Sequence, residues 1–152
     1  VRALARLETI QYSVEKVITG ETGGGTFQSL FGDKILFVGH GTVIAGIDME
    51  KLAPENMRYE NGALSVQLPP TEIFIATLDN EKSYVYDRQT GVLTKPDPNL
   101  ETLVRQKAEE EILKAALEDG ILNQAQINAE TYLFKFFAAL GFPNTIFLDN
   151  PN

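Results

Sequence analysis

Apolar and polar residues alternate along the first two thirds of the chain, and this alternation predicts extended strands. The longest stretch lies within residues 34–78. From Ile35 to Ile47 both parities are largely apolar, which is typical of a strand covered on both faces. Glycine inside a strand marks a bulge, a bend or a tight turn, so we expect Gly39-His40-Gly41 to interrupt this strand.

Turn residues divide the remaining pattern into shorter strands. Asn61-Gly62 favours the positive φ values of a tight hairpin turn, and Pro69-Pro70 ends a strand because proline donates no ladder hydrogen bond. Residues 20–25 and 87–91 are predicted to be loops, and the strand at 71–78 is expected to be central. The predicted strands are residues 9–19, 57–59, 63–68, 71–78, 83–86 and 92–94. Their short connections indicate an antiparallel meander.

The apolar period changes from two to about 3.6 after Asp97-Pro98, which predicts a helix with Asp97 as its cap and Pro98 at its first position. Gly120 is expected to end this helix. Glu101 with Arg105, and Glu110 with Lys114, are spaced to form ion pairs on its outer side. Its apolar stripe is Leu100, Val104, Ala108, Ile112 and Ala116, widened by Leu103, Leu113 and Leu117.

A second helix is predicted to follow, with Asn123 and Gln126 as a capping box and Gly141 as its end. Its apolar residues are Ile127, Tyr132, Leu133, Phe134, Phe136, Phe137 and Leu140. A helix with so many aromatic residues must cover a sheet or a partner. The predicted fold is therefore a single α+β domain over residues 1–152. It comprises an antiparallel meander-like sheet, two C-terminal helices on one face, and a short final strand at 145–148.

Composition excludes several classes of function. The chain has 152 residues and no cysteine, so disulfides, thiolate metal sites and cysteine nucleophiles are excluded. Its net charge of −8 argues against binding to nucleic acid or to an anionic lipid surface, because both require clustered Lys and Arg. There is no apolar run of the ~20 residues that a membrane helix needs, and no signal peptide. The chain starts at Val1 rather than Met, so we expect an upstream segment.

His40 is the only histidine, and it is the one candidate for a general base. Such a role needs acidic partners that the sequence does not place, so an exposed bulge or turn residue is the simpler interpretation. A structural zinc site is excluded because one imidazole with carboxylates lacks the usual ligands. A hydrolase that uses His40 is the least favoured alternative, since no nucleophile or dinucleotide motif is present.

Two further groups of residues have alternative interpretations. Asp48, Asp79 and Asp87 follow strand ends, where they can converge on Ca²⁺ or Mg²⁺ or simply bond local backbone amides. We favour the local role, with Asp48 capping a short turn. The aromatic set Tyr132, Phe134, Phe136 and Phe137 can form a ligand pocket, an oligomer contact or part of the core. The core is the commoner use of such residues.

Four segments stand out in order along the chain: Leu7-Glu8-Thr9 with Tyr12, Gly46-Ile47-Asp48-Met49-Glu50-Lys51-Leu52, Leu68-Pro69-Pro70, and Ile121-Leu122 with Ala125. This ordered set resembles the bacterial domain-of-unknown-function family DUF4230, most strongly in the second segment and the later SVQLPPTEIF segment. The predicted helices and final strand also fit, so the resemblance covers nearly the whole chain. It implies a protein tethered by an N-terminal membrane helix, and it supplies no catalytic residues. The order of sheet and helices is also similar to band-seven (stomatin-like) domains, by fold analogy alone.

We therefore expect an uncharacterised, non-catalytic domain of a membrane-tethered bacterial protein, on an undetermined side of the membrane. It would act by protein–protein contact or self-association, without a cofactor, without catalytic residues and without nucleic acid. The alternative is a domain that binds a small ligand or a divalent ion.

Overall fold

The structure, a computed structural model, describes residues 5–23 and 32–150. Two short 3-10 helices, Met49–Lys51 and Pro54–Asn56, follow the second strand. In chain order the strands and α-helices are β1 (Arg6–Thr22), β2 (Asp33–Asp48), β3 (Met57–Glu60), β4 (Ala63–Val66), β5 (Glu72–Leu78), β6 (Tyr84–Thr90), α1 (Pro98–Glu118), α2 (Ile121–Ala139) and β7 (Thr145–Phe147). The predicted α+β class is confirmed: antiparallel strands come first, two helices follow them, and a short strand comes last.

The strands form two sheets rather than one consecutive meander. The first sheet has the order β1-β2-β5, and β6 pairs antiparallel with β2. The second has the order β3-β4-β7, in which β7 runs parallel to β4 with Leu64 beside Thr145. The β3–β4 hairpin has the predicted turn, but its second partner comes from far along the chain. Strand β5 ends the path of the first sheet, so its predicted central position is wrong.

The described residues divide into two compact units. One comprises residues 5–11, 44–75 and 119–150, and the other comprises residues 12–23, 32–43 and 76–118. The prediction of a single domain remains a prediction. We call these the hairpin unit, which holds β3, β4, β7 and α2, and the α1 unit, which holds α1 and β6.

Helix α1 forms the core of the α1 unit with the alternate, odd-numbered residues of β2. Its buried residues are Leu100, Val104, Ala108, Ile112 and Ala116, which is the predicted stripe. Strand β2 is continuous, so the predicted interruption at Gly39-His40-Gly41 is wrong. A Cβ on Gly39 would lie 3.0 Å from the Cβ of Ala108, and one on Gly41 would lie 2.8 Å from Ile112. These glycines therefore allow the helix to approach the strand, which is the other common use of glycine inside a sheet.

Asp33 is buried at the start of β2, where its carboxylate is the centre of a hydrogen-bond network. Arg88 of β6 donates from Nη2 to Oδ2 at 2.6 Å and from Nε to Oδ1 at 3.2 Å. The hydroxyl of Thr90 donates to Oδ1 at 3.1 Å, and the backbone amide of Asp97 donates to Oδ2 at 2.8 Å. These bonds, chiefly those from Arg88, lower the pKa of Asp33 from 3.8 to about 2, although burial acts in the opposite direction. One carboxylate thus joins β2, β6 and the entry to α1.

The hairpin unit has its own apolar core. Its buried members are Ile47, Met49, Leu64, Val66, Leu68, Ala129 and Leu133. Helix α2 is attached to β1 by hydrogen bonds as well as by packing. The hydroxyl of Thr9 donates to the carbonyl of Ala125 at 2.8 Å, and the Asn128 amide donates to the carbonyl of Thr9 at 2.9 Å. The hydroxyl of Thr71 donates to the carbonyl of Leu122 at 3.0 Å.

Three predicted boundaries are wrong for reasons of pairing or backbone geometry. Strand β1 extends to Thr22, so residues 20–22 are not loop, and predicted loop residues 24 and 25 lie outside the described ranges. Strand β6 reaches Thr90, because residues 87–90 pair with 33–36 of β2, and the predicted strand at 92–94 does not form. Helix α2 begins at Ile121 after Gly120, whose φ is 80°, so the predicted cap at Asn123 lies inside the helix.

One of the two predicted ion pairs on α1 is present. The Arg105 guanidinium lies 3.0 Å from Glu101. Lys114 instead lies 4.0 Å from Glu118, and Glu110 lies 3.9 Å from Lys107. Exposed pairs of this kind contribute a few tenths of a kcal/mol, so the exchange of partners has little effect on stability.

Replacing Asp33 with Asn should lower the free energy of unfolding by about 2 to 3 kcal/mol at pH 7, because Arg88 would lose its charged partner in a mostly buried position. Since the pKa of Asp33 is lowered in the folded state, its stabilisation is present above about pH 5 and is lost as the pH falls towards 2. The deficit of the variant should therefore shrink between about pH 5 and pH 2 in urea titrations. Asp87→Asn, an exposed change on β6 next to Arg88, is the control. Equal deficits at both pH values would contradict this role.

Replacing Gly41 with Ala should destabilise the protein by about 1 to 3 kcal/mol, because the new methyl group would overlap the backbone carbonyl of Thr77 as well as Ile112. Thermal and urea unfolding would measure the loss. Thr42→Ala, on the adjacent residue, is the control and should cost less than about 1 kcal/mol. A Gly41→Ala variant as stable as the parent would show that α1 does not approach β2 this closely.

Candidate functional site

A polar pocket of about 270 Å³ lies in the α1 unit around His40. His40 and Thr42 alternate along β2 with the glycines that face α1, so their side chains lie on the opposite face of the strand. The pocket is lined by Ser13, Val14 and Glu15 of β1, by His40, Gly41 and Thr42 of β2, and by Asp79 and Lys82 of the turn between β5 and β6. We call this the His40 pocket.

The structure supplies the acidic partner of His40 that the sequence could not place. Glu15 and Glu21 of β1 lie beside His40 and Lys34 of β2, six residues apart on each strand and in reverse order, as in an antiparallel pair. The Nδ1 atom of His40 lies 3.5 Å from Oε2 of Glu15. His40 is a half-buried strand residue, so its interpretation as an exposed bulge or turn residue is wrong.

The backbone of His40 is held by the turn that forms the third wall of the pocket. The amide of His40 donates to Oγ of Ser83 at 2.9 Å, and the Ser83 hydroxyl lies 3.2 Å from the carbonyl of His40. The amide of Asp79 donates to the same carbonyl at 2.7 Å. Ser83 is buried, and it completes the hydrogen bonding of β2 between the end of β5 and the start of β6. Hydrogen bonds therefore join two walls of the pocket, β2 and the turn.

The chemical groups of the His40 pocket carry both signs of charge. With Nδ1 directed at Glu15, the Nε2 atom of His40 is the ring nitrogen left to contact a ligand. Ser13 lines the same pocket, yet no hydrogen bond between Ser13 and His40 is present among the described residues, as a nucleophile and its base would form. The arrangement is suited to binding a small polar molecule through ion pairs and hydrogen bonds.

The three aspartates do not gather around an ion. Asp48 accepts the amide of Glu50 at 3.1 Å, which is the predicted cap. Asp79 accepts the amides of Glu81 and Lys82 through Oδ1, as a turn residue does. Asp87 lies within β6, so its predicted position after a strand end is wrong. Across residues 5–23 and 32–150, no group of three His, Asp or Glu residues is placed to hold a metal.

The aromatic residues of α2 divide between the core and the surface. Phe136 and Phe137 pack against the buried cluster of the hairpin unit, as the core interpretation predicts. Phe134 and Tyr132 are exposed, with Tyr132 stacked on Phe136 at a ring distance of 6.3 Å. The core interpretation is therefore right for two of these residues and wrong for the other two.

The outward side of α2 has an uncharged stripe, which we define as Ile127, Thr131, Phe134 and Ala138 and call the α2 stripe. Ile127 and Phe134 are 47% and 45% exposed. The hydroxyl of Thr131 donates to the carbonyl of Ile127 at 2.9 Å, so its polar atom is already bonded. Lys135 is the only charged residue among the exposed positions of α2. The exposed positions of α1 include Lys107, Glu109, Glu110, Lys114 and Glu118.

Sequence analysis named Phe134 in its oligomer-contact alternative but did not define the α2 stripe, and it missed the His40 pocket. The seven-residue spacing of Ile127 and Phe134 was available as a signal, because it repeats on one side of a helix opposite the alanines at 125 and 129. The His40 pocket had no such signal, since its three walls come from segments that are separated by more than 20 residues.

Neither α1 nor α2, nor any other helix within the described ranges, combines the length and the apolar character of a membrane-crossing helix. A family model described as "Protein of unknown function (DUF4230)" matches residues 1–146. Searches of curated proteins and of solved structures gave no match. The analogy to band-seven domains stays a prediction. The family match confirms the resemblance over nearly the whole sequence, and the chain belongs to the DUF4230 family.

Proposed function

We propose that this domain is a non-catalytic association module that pairs with a second copy of itself through the α2 stripe, in a protein tethered to a bacterial membrane. The α2 stripe carries the proposal, because it is an exposed helix surface with a large aromatic and a large aliphatic side chain and no charge. Exposed apolar surface of this kind is typical of protein contact sites.

A second copy fits the α2 stripe because the stripe is complementary to itself. When two copies of α2 lie antiparallel about a point between Tyr132 and Leu133, Ile127 of one faces Ala138 of the other. In the same register Thr131 faces Phe134. Each large side chain then meets a small one at both ends of the contact, which is the arrangement that packs well and that a two-fold axis requires.

Charge also favours contact at this position. The chain carries a net charge of −8, so two copies repel each other over most approaches. The α2 stripe lacks acidic residues, and Glu130 on the same helix is half-buried and accepts the side-chain amide of Gln126 at 3.2 Å. Two copies can meet here without placing like charges together.

The expected affinity is low. A single pair of helices buries roughly 800 Å² in total, which is below the ~1,200 to 2,000 Å² of stable complexes. We therefore expect dissociation constants in the micromolar range or weaker for the domain in solution. Attachment of two copies to one membrane would raise their effective concentration and so favour the pair.

The tether itself rests on the resemblance to DUF4230 and on no feature of the described residues. The full-length protein should contain ~20 consecutive apolar residues upstream of this domain. It should remain in the membrane pellet after an alkaline wash and leave it in detergent. Release of the full-length protein by the alkaline wash alone would contradict the tether.

Replacing Phe134 with Glu should abolish self-association, because it places a charge in the middle of an apolar contact. Sedimentation equilibrium of the domain over a range of concentrations would measure the loss, with the parent forming dimers at the highest concentrations. Leu103→Glu, which changes a more exposed leucine on α1, is the control and should leave the dimer intact. A strictly monomeric parent at millimolar concentration would overturn the proposal.

Single cysteines can test the antiparallel register, because the chain has none of its own. A mixture of Ile127→Cys and Ala138→Cys should form a mixed disulfide on mild oxidation. Each variant alone should not, since its two copies of the thiol would lie ~16 Å apart along the helices. Cross-linking of Ile127→Cys with itself would contradict the antiparallel arrangement.

A further inference from the structure

We propose that the His40 pocket binds a small zwitterion that carries one ammonium and one carboxylate group, the chemistry of a free α-amino acid. This inference is independent of self-association, because it rests on β1, β2 and the turn between β5 and β6. Three features support it: the charged groups that line the pocket, the lack of an ion pair between Lys82 and any described carboxylate, and the hydrogen bonds that hold the walls.

The cationic group of the pocket is Lys82, and the imidazole of His40 lines the same pocket. The Lys82 ammonium group makes no ion pair with any described carboxylate, so it is available to a ligand carboxylate. The Nε2 atom of His40 adds a second polar contact, since Nδ1 is directed at Glu15. The hydroxyls of Ser13 and Thr42 supply neutral donors nearby.

The anionic groups of the pocket are Glu15 and Asp79. Oδ1 of Asp79 is used by the amides of Glu81 and Lys82 at 3.0 and 3.2 Å, which fixes the carboxylate and leaves Oδ2 free of a described partner. Glu15 contacts only His40 among the described residues, through Oε2. A ligand ammonium group would therefore find carboxylate oxygens already oriented by the turn and by the imidazole.

A ligand with one sign of charge fits the pocket less well than a zwitterion. A simple anion would be attracted by Lys82 but repelled by Glu15 and Asp79. A simple cation would be attracted by the two carboxylates but repelled by Lys82. A zwitterion can pair with groups of both signs at once. Specific binding sites use unfavourable contacts of this kind as well as favourable ones.

The size and rigidity of the pocket restrict the ligand further. Its volume of about 270 Å³ lies at the lower limit for small-molecule sites, and most of its lining residues are polar. These features favour an amino acid with a small or polar side chain. The hydrogen bonds of Ser83 and Asp79 to the backbone of His40 hold two walls in place. The backbone of these walls therefore loses little conformational entropy on binding.

The test is a titration of the ¹⁵N-labelled domain at pH 7 with L-alanine and L-serine, and with ethylamine and propionate as single-charge probes. The zwitterions should shift the amide resonances of residues 13–15, 40–42 and 79–83. Each single-charge probe should bind at least tenfold more weakly. Lys82→Met and Glu15→Gln should each weaken the zwitterions at least tenfold, and Lys95→Met, an exposed lysine outside the pocket, should not.

Three results would overturn the proposal. The first is the absence of any shift with either amino acid at millimolar concentration. The second is equal affinity for ethylamine and alanine, which would indicate a plain cation site. The third is an unchanged affinity in Lys82→Met. Unfolding curves of each variant would show that it is folded, and the monomeric Phe134→Glu variant should bind as the parent does, which separates this outcome from the failure of self-association.

Discussion

The α1 unit depends on a carboxylate without contact to solvent, that of Asp33. A buried charge is stable only when it is paired and hydrogen-bonded, and Asp33 meets this requirement with three groups from two other segments, β6 and the residue just before α1. Arg88 satisfies the carboxylate and also donates to the carbonyl of Asp97 at 2.9 Å, just before α1 begins. The position of α1 on the sheet is therefore fixed by electrostatics at its start and by apolar packing along its length.

Strand β2 serves two purposes through the alternation of its side chains. On one face the glycines bring α1 close enough for Ala108 and Ile112 to pack against the backbone. On the other face His40 and Thr42 line the pocket. In this strand, the two glycines face the helix and the histidine between them faces the open side. The glycines therefore indicate where the helix packs, and they do not indicate a break in the strand.

Local periodicity allowed some of this structure to be predicted residue by residue. The buried stripe of α1 and the β3–β4 turn follow from helical spacing and from Asn61-Gly62. The extent of β6 could not be predicted from local periodicity, because Thr90 is extended only through its pairing with Asp33, far away in sequence. The Asp33–Arg88 pair and the Glu15–His40 contact could not be predicted for the same reason, because the residues of each pair are far apart in sequence. The start of α2 was missed because Gly120 reverses the chain by its own left-handed backbone and needs no side-chain cap.

The parallel pairing of β7 with β4 affects the order in which the chain can fold during synthesis. Val66 lies beside Phe147, so the β3–β4 hairpin remains a two-stranded ribbon until residues 145–147 have left the ribosome. Two-stranded ribbons are marginally stable alone. The α1 unit, in contrast, ends at residue 118 and has all of its strands and its helix before α2 is made. Vectorial synthesis therefore completes the unit with the His40 pocket first and the unit with the α2 stripe last.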